Sequence, residues 1–325
     1  DQVADDYVGM GGRNAKAALK IQTLYSAIHH SITDFDITSG VTHDVNILPK
    51  VIGRLTEKEL LLADLGYFDT AFLHQIQEKN FFISRIKINL KLYKAVSETY
   101  SIYEQLDLSD FLSQNVCSID QEVYIGSEAC NKLKVRLVGI KLSDEVATKR
   151  IKKAIIQNDG HDISATKRQL LHWNFMITNI HKETLNATII TELYRMRWQI
   201  ELLFKVLKST LSIDKMHVGK TKYVEAILYG KLLGALLTMP LYDCVDQNLL
   251  STQGRGVSIQ RFYTLLNVDL YQFYTIKRIT LHTYEYFANL LQRIGKLALH
   301  EKRLRKTTYS KIESYLEQFI VTGKT

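Results

Sequence analysis

The chain has 325 residues, of which 46% are hydrophobic and 23% are charged, with a formal net charge of +8. This apolar fraction is ordinary for a globular protein and excludes wholesale disorder. The length allows two or three domains with a sizeable core. The three cysteines are widely spaced and fit neither a disulfide framework nor a Cys-x2-Cys metal site, which indicates a reducing compartment.

The positive charge is concentrated in the C-terminal part of the chain. Residues 1–201 contain 24 lysines and arginines against 25 acidic residues, whereas residues 202–325 contain 18 against 9. This asymmetry indicates either a polyanion partner for the C-terminal part or a solubilising helical surface. The basic runs at 149–154 and 300–306 fit a phosphate-contacting helix and a solvated helix face equally well.

Neither terminus nor interior predicts a membrane segment. The first residues are polar and contain glycine, unlike a signal peptide. The longest apolar stretch, 226–241, is interrupted by Lys231 and is shorter than the roughly 18 apolar residues that a span requires. We therefore expect a buried helix there. Because the first residue is not methionine, we also expect a processed product or a fragment.

The first ninety residues alternate strand and helix patterns. Asp64 and Gly66 end a short apolar strand, and Asp69 is placed to cap the helix that follows. This alternation predicts an α/β core. The predicted strands are 17–28, 32–37, 59–63 and 81–88, with a turn at His29 and His30, and the predicted helices are 44–55 and 70–80.

The pattern changes after residue 88 and again after residue 192. Several β-like runs and one basic helix precede a strand at 173–180, and the remainder has helical periodicity with a break at 251–256. We predict the following division: 1–88, the first part of the core; 89–165, a β-rich insertion; 166–215, the rest of the core; and 216–325, a helical C-terminal region.

The segment 193–209 contains neither glycine nor proline and is predicted to form one continuous helix. At about 100° per residue, its apolar side chains form one broad stripe beside a narrow polar one. The polar stripe contains Tyr194, Arg197, Glu201 and Lys208. It would suit a metal-holding carboxylate flanked by phosphate-binding cations. An amphipathic helix with an ordinary Arg197–Glu201 ion pair explains the same pattern.

The spacing Tyr-x2-Arg-x3-Glu-x6-Lys resembles the signature of the bacterial insertion-sequence-four family of DDE transposases. All four positions match, and further blocks resemble the family in the right order up to about residue 235: AALKIQ, LLADLGYFD, RLVGIKL and WNFMITNI. The resemblance implies an RNase H-like core with a β-rich insertion before the helix that bears the last acid.

The resemblance also implies the site. Asp64 matches the second catalytic aspartate at the end of a core strand, with Asp69 as a rival, and Glu201 matches the last acid. Both would be metal ligands for two divalent ions, Mg²⁺ or Mn²⁺, in DNA cleavage and strand transfer. Arg197 and Lys208 would bind phosphates, and Tyr194 would donate a hydrogen bond to one.

The two tryptophans carry different expectations. Trp173 begins a predicted strand at the place where hairpin-forming family members stack a tryptophan on a flipped base. A core or strand-edge tryptophan is the equally weighted alternative. Trp198 lies on the other side of the predicted helix from the polar stripe, which favours packing.

The family's first aspartate has no counterpart here. Only sixteen residues precede Ala17, and Asp1, Asp5 and Asp6 follow no strand-like run. We therefore expect the first acid and first core strand to lie upstream of residue 1. The alternatives are a transposase with an incomplete sequence, a non-catalytic remnant that binds DNA or a full-length partner, and a general RNase H-like nuclease.

The resemblance finally implies partners and location. The partners would be double-stranded DNA, as transposon terminal repeats and target, and a second copy of the chain in the DNA complex. No membrane partner is expected, and the location would be the bacterial cytoplasm with the nucleoid.

Overall fold

The structure is a computed structural model that describes residues 2–9, 16–87, 89–99, 101–112, 117–126, 132–216, 219–275 and 281–299. The strands are β1 Leu19–Ser26, β2 Ser31–Ser39, β3 Leu60–Ala63, β4 Phe81–Arg85, β5 Leu92–Ser97, β6 Ile102–Leu106, β7 Ser118–Ile125, β8 Leu133–Lys141 and β9 Trp173–Thr178. The helices are α1 Gln2–Asp6, α2 Leu48–Ile52, α3 Thr70–Gln77, α4 Asp144–Ile156, α5 Ala165–Leu170, α6 Ala187–Arg195, α7 Trp198–Leu211, α8 Thr221–Gln253, α9 Ile259–Thr275 and α10 Leu281–Leu297. The expectation of a mixed α/β protein is confirmed.

The chain forms two compact units. One unit is the continuous segment 43–197, called the sheet unit, and the other combines 1–42 with 198–325 and is called the helical unit. The two unit boundaries coincide with none of the three boundaries between the four predicted regions. That four-part division stays a prediction.

The sheet unit is built on one mixed sheet. The strand order is β3-β4-β9-β8-β7-β5-β6, with β3 parallel to β4 and every other pairing antiparallel. Strands from the predicted insertion therefore continue the sheet that contains β4 and β9, through the β8–β9 pairing. In the described part of the chain, β3 is an edge strand that pairs only with β4.

Helices cover both faces of this sheet. Successive side chains of a strand point to opposite faces, and in these strands the side chains on both faces are apolar. Phe82 faces one side with Leu73 and Ile76 of α3. Ile83 faces the other side with Ile190 of α6. Each of these side chains is at most 1% exposed. The sheet therefore fixes α6 by packing, and α6 carries one of the candidate site residues.

Local sequence signals account for the elements around Asp64. The predicted strand at 59–63 is β3, and the predicted cap is confirmed because Asp69 accepts a hydrogen bond from the backbone N–H of Phe72 at 2.8 Å. The rival carboxylate is therefore engaged in capping α3. The predicted helix at 44–55 is a 3₁₀ turn, Asp44–Ile47, followed by α2.

The helical unit contains the predicted hairpin, but not as part of the larger sheet. β1 and β2 pair antiparallel around a turn at 27–30, and together they form a separate two-stranded sheet. The hairpin is therefore separate from the sheet that contains β3 and β4. Ile32 of β2 packs with Leu203 of α7 and Leu228 of α8. One face of the hairpin therefore buries its apolar side chains against these helices.

Helix α8 differs from the expected buried helix. Leu232 and Met239 are buried, but Leu233 and Leu237 are 56% and 71% exposed. Its most apolar window has a mean hydropathy of 1.4 and is 28% buried, so by length and composition α8 meets the criterion for a membrane span. One such helix is weak evidence, because core helices of water-soluble proteins meet the same criterion. The helix ends at Gly254, whose φ of 64° provides a left-handed cap at the predicted break.

Of the two basic runs, only 149–154 lies in the described part of the chain. It belongs to α4, where Lys149 pairs with Glu145 at 3.2 Å and Arg150 donates to the carbonyl of Trp173 at 3.1 Å. The run at 300–306 lies outside the described residues. Of the cysteines, Cys117 and Cys244 are free and exposed, and Cys130 lies outside the described residues.

Candidate active site

Asp64 lies where the sequence predicts it, directly after β3. Its side chain is 51% exposed, and its Oδ2 is 3.8 Å from Nη1 of Arg197. Because Ala63 pairs in parallel register with Ser84, Asp64 lies beside Arg85 at the carboxyl ends of two neighbouring strands. This edge of a sheet is where ligand sites of α/β proteins form.

Tyr194 lies at the same edge, held there by α6. Asn186 immediately precedes the helix and caps it, since its side chain accepts from the N–H of Ile189. Tyr194 is 7% exposed, and its hydroxyl donates a hydrogen bond to the carbonyl oxygen of Ala63 at 3.2 Å. Burial raises the pKa of Tyr194 to about 12, so the hydroxyl is a neutral donor at physiological pH. Here that donor is engaged with the backbone rather than free for a phosphate.

Arg197 lies in a turn, not within a helix. The predicted continuous helix over 193–209 is wrong, since α6 ends at Arg195 and α7 begins at Trp198. At Met196 and Arg197 the backbone hydrogen bonds span three residues instead of four. No glycine or proline marks this turn. It lies where Tyr194 and Arg197 contact the end of β3, and tertiary contacts commonly override helical preference. The single polar stripe is therefore divided between two helices.

Two arginines lie near Tyr194. The guanidinium carbon of Arg197 is 5.8 Å from the ring centroid, within the range of a cation–π contact. Arg85 is close enough that its charge, like that of Arg197, favours the ionised form of Tyr194, although burial outweighs both. Neither the helical pattern nor the family resemblance indicates Arg85. The signal for Arg85 is its place near the end of the predicted strand that follows the strand before Asp64.

Glu201 and Lys208 belong to α7 in the helical unit, and both are exposed. They line a groove of about 920 Å³. The other side chains that line the groove include Lys205, Asp214, Phe204 and Ile213. The structure therefore brings Asp64, Tyr194 and Arg197 together in one unit, and Glu201 and Lys208 along one groove of the other.

Trp173 is a core residue in this structure. It is 7% exposed and stacks on Phe175, with 5.9 Å between the ring centroids and 17° between the planes. This burial favours the packing alternative, and base stacking by Trp173 stays a prediction. Trp198 is 61% exposed, so the expectation that it packs is wrong.

The described residues contain no group of three or more histidine, cysteine, aspartate or glutamate side chains placed to hold a metal ion. The carboxylates of Asp64 and Glu201 are nevertheless solvent-accessible, and oxygen is the donor type that Mg²⁺ takes. Asp64 and Glu201 therefore offer the type of donor atom that a divalent ion such as Mg²⁺ requires.

Comparison with known proteins identifies the class of this chain. Residues 2–237 match the family described as the transposase DDE domain. Because the match covers most of the chain, the protein belongs to the DDE transposases, as the resemblance predicts.

Particular relatives are transposases of insertion sequences. The chain is 29% identical to the transposase for insertion sequence element IS1151 of Clostridium perfringens, over 78% of this chain and 56% of the relative. It is 30% identical to the transposase for insertion sequence element IS231F of Bacillus thuringiensis subsp. israelensis, over 82% of this chain and 59% of the relative. The corresponding protein of IS231E, from subsp. finitimus, is 27% identical over 84% of this chain and 60% of the relative. The chain thus spans somewhat more than half the length of these relatives.

Proposed function

We propose that this chain is the catalytic part of an insertion-sequence transposase, which cleaves and joins DNA at the ends of its element. One arrangement carries the proposal: Asp64 at the carboxyl end of β3, with Arg197 3.8 Å away and Tyr194 bound to the preceding carbonyl. It occurs in a chain that matches the transposase DDE domain over residues 2–237. A carboxylate beside a guanidinium, with a buried hydroxyl fixing the end of the strand that precedes the carboxylate, suits the handling of a phosphodiester.

The chemistry would be an in-line displacement at phosphorus. Water is the first nucleophile and releases a 3′-hydroxyl, which is the nucleophile of the joining step. Bound divalent ions, Mg²⁺ or Mn²⁺, would stabilise the attacking and leaving oxygens. We propose Asp64 and Glu201 as carboxylates that ligate such ions.

The cations of the two units would hold the DNA backbone. In the sheet unit, Arg197 lies beside Asp64 and Arg85 ends the neighbouring strand, and both would offer guanidinium groups to phosphate oxygens. In the helical unit, Lys208 lines the groove that also contains Glu201. Phosphate contacts of this kind position the duplex and carry no sequence information. Recognition of the terminal repeats would require base contacts besides them.

The remaining expectations belong to the same proposal. They are an RNase H-like core completed by an upstream strand that carries the first catalytic aspartate, a β-rich insertion, a homodimer on double-stranded DNA, and a location in the bacterial cytoplasm with the nucleoid. A position for a further strand is supported by β3, whose outer edge is unpaired in the described part of the chain. The alternative function is DNA or partner binding without catalysis.

The test uses the purified chain and DNA duplexes that carry the sequences flanking its gene, with Mg²⁺ or Mn²⁺. A catalytic chain, supplied if needed with its upstream reading frame, releases 3′-hydroxyl ends at the element boundary. Asp64→Asn and Glu201→Gln each abolish cleavage while DNA binding remains. Binding without cleavage in both forms of the chain would support the remnant and contradict the catalytic proposal.

A further inference from the structure

The most completely buried arginine of the sheet unit is not among the candidate site residues. Arg136 lies in the middle of β8 and is 5% exposed. Its Nε and Nη2 donate to the two carboxylate oxygens of Asp120 on β7, at 2.6 and 2.8 Å. A fork of this kind fixes the orientation of the guanidinium as well as its charge. The third nitrogen, Nη1, therefore points in a defined direction.

Nη1 of Arg136 binds the loop that leads into α6. It donates to the carbonyl of Ile180 at 3.2 Å and to the carbonyl of Leu185 at 2.6 Å. Leu185 immediately precedes Asn186, the capping residue of α6. One side chain thus ties both ends of the β9–α6 loop to the middle of the sheet.

The loop is held from its other side as well. Thr178, the last residue of β9 and the register partner of Arg136, accepts from the N–H of Ile180 through its hydroxyl at 3.1 Å. Ile180 is 5% exposed and packs with Ile190 of α6. The start of α6 therefore has little freedom to shift along the sheet while the bonds of Arg136 are intact.

A shift at the start of α6 would reach the candidate site. The helix has nine residues, about 13 Å at 1.5 Å per residue, and moves as a rigid element. Tyr194 lies in its last turn, bound to Ala63, and Arg197 follows in the adjoining turn beside Asp64. A displacement of about 1 Å would break a hydrogen bond of 3.2 Å.

We propose that Arg136 is a positioning residue. Through its bonds to the carbonyls of Ile180 and Leu185, it fixes where α6 lies along the sheet. The position of α6 in turn places Tyr194 and Arg197 against Asp64. The effect of Arg136 on the position of α6 does not depend on the proposed function. The consequence for DNA binding rests on that function.

An ordinary buried ion pair would stabilise the whole unit without acting on one helix. The two roles differ in which amides become exposed when the pair is altered. Arg136→Lys retains the charge but loses the planar fork, so the amine cannot bind Asp120 and both carbonyls at once. Asp120→Asn retains the shape but removes the negative charge and one of the two acceptor oxygens, so half of the fork is lost while the bonds of Nη1 to the two carbonyls remain possible. Both are milder than an apolar replacement, which would leave Asp120 unpaired and could prevent folding.

Hydrogen–deuterium exchange of the intact chain separates these roles. In Arg136→Lys we expect the amides of α6 to exchange about tenfold faster, the equivalent of one lost charge-assisted hydrogen bond, while those of α3 in the same unit stay unchanged. Asp120→Asn should give a smaller change in the same direction. The matched control is Lys134→Gln, two residues earlier on β8, whose exposed amine pairs with Glu122 at 3.2 Å. An equal acceleration in α3 and α6, or none in α6, would overturn the proposal.

A second measurement tests the link to DNA. If Tyr194 and Arg197 contact phosphate, Arg136→Lys weakens binding of an end-containing duplex several-fold. The double variant Arg136→Lys, Tyr194→Phe should then lose less DNA-binding free energy than the sum of the losses of the two single variants. The reason is that both substitutions disturb the same placement of the end of α6. Faster exchange in α6 with unaltered DNA affinity would retain Arg136 as the positioning residue and refute the DNA-contacting role of Tyr194 and Arg197. Additive losses would overturn the coupling between Arg136 and Tyr194.

Discussion

The hydroxyl of Tyr194 donates a hydrogen bond to the main-chain carbonyl of Ala63, the residue immediately before Asp64, although the two residues are 131 positions apart. The bond joins a helix to the end of the strand on which the candidate carboxylate lies. It also leaves the polar atom of a buried tyrosine satisfied. The orientation of Asp64 thus depends on a helix that begins far from it in the sequence.

Tyr194→Phe should lower the stability of the sheet unit by about 0.5–1.5 kcal/mol, because it leaves the buried carbonyl of Ala63 without its partner. The measurement is the urea midpoint followed by circular dichroism. The control is Tyr223→Phe on α8, a tyrosine that is 59% exposed, for which we expect a change within about 0.5 kcal/mol. Equal effects of the two substitutions would show that the bond to Ala63 adds nothing to stability.

Tyr194 also predicts a loss of stability in alkali. Its pKa is about 12, against 10 for an exposed tyrosine, because burial disfavours the phenolate. The raised pKa stabilises the fold fully below pH 10, and this contribution disappears as the pH rises to about 12. Tyr67 has the same pKa for the same main reason. Tyr194→Phe should therefore flatten the fall of the urea midpoint between pH 10 and 12, and an unaltered slope would contradict the assignment.

His30 predicts the opposite behaviour in acid. It stacks on Tyr242 at 5.9 Å, and burial lowers its pKa below 6.5 even though Asp243 and Asp246 partly oppose the shift. Its contribution to stability is present above pH 6.5 and is lost as the pH falls below that value, because the unfolded histidine binds the proton first.

The test for His30 is the urea midpoint of the helical unit at pH 7.5 and 5.5. His30 has a φ of 47°, so His30→Asn keeps a residue that tolerates the left-handed backbone. This variant should lose most of the difference between the two pH values, whereas His29→Asn, at the exposed neighbouring position, should retain it. A retained difference in His30→Asn would assign the acid sensitivity to another group.

Trp173→Ala should destabilise the sheet unit by about 3–5 kcal/mol, as expected for a large side chain removed from a packed core. Trp198→Ala, at an exposed position, should change stability by no more than about 0.5 kcal/mol. In Trp198→Phe, the remaining emission comes from Trp173 and should be blue-shifted and poorly quenched by acrylamide. A Trp173→Ala variant that cleaves, joins and hairpins DNA normally would remove Trp173 from the site.

Asp64→Asn separates catalysis from folding. Its side chain is half exposed and its partner is 3.8 Å away, so the ion pair contributes no more than about 1 kcal/mol to stability. We expect cleavage to fall by more than about 100-fold, because even the loss of a metal ligand's hydrogen-bond partner costs about 10–100-fold. Asp69→Asn is the control, since Asp69 caps α3. Equal losses of activity would contradict the assignment of Asp64.

Much of this fold follows from local sequence. Asp64 after an apolar run, Asp69 before a helix, and the hairpin turn at His29 and His30 are encoded within a few residues, and each is found where expected. Long-range pairing is not encoded in this way. Nothing local separates the β1–β2 hairpin from the larger sheet, and nothing local marks the turn at Arg197, which lies where that residue contacts the end of β3.

In the candidate site too, some residues follow from local sequence and others depend on long-range contacts. Spacing and resemblance single out Tyr194, Arg197 and Glu201, but they miss Arg85, which reaches the site through the β3–β4 register. They also miss Arg136, whose partners are 16, 44 and 49 positions away. Buried polar connections of this kind have no periodicity and become visible only in three dimensions.

The outer edge of β3 has a practical consequence for work with the purified protein. Its four residues, Leu-Leu-Leu-Ala, present backbone N–H and C=O groups that are unpaired by any strand in the described part of the chain. Backbone groups at an apolar edge are templates for pairing between molecules, and the length of only four residues limits that pairing. If concentrated solutions of this chain form intermolecular β-structure, it should form at this edge, and Leu61→Lys should suppress it.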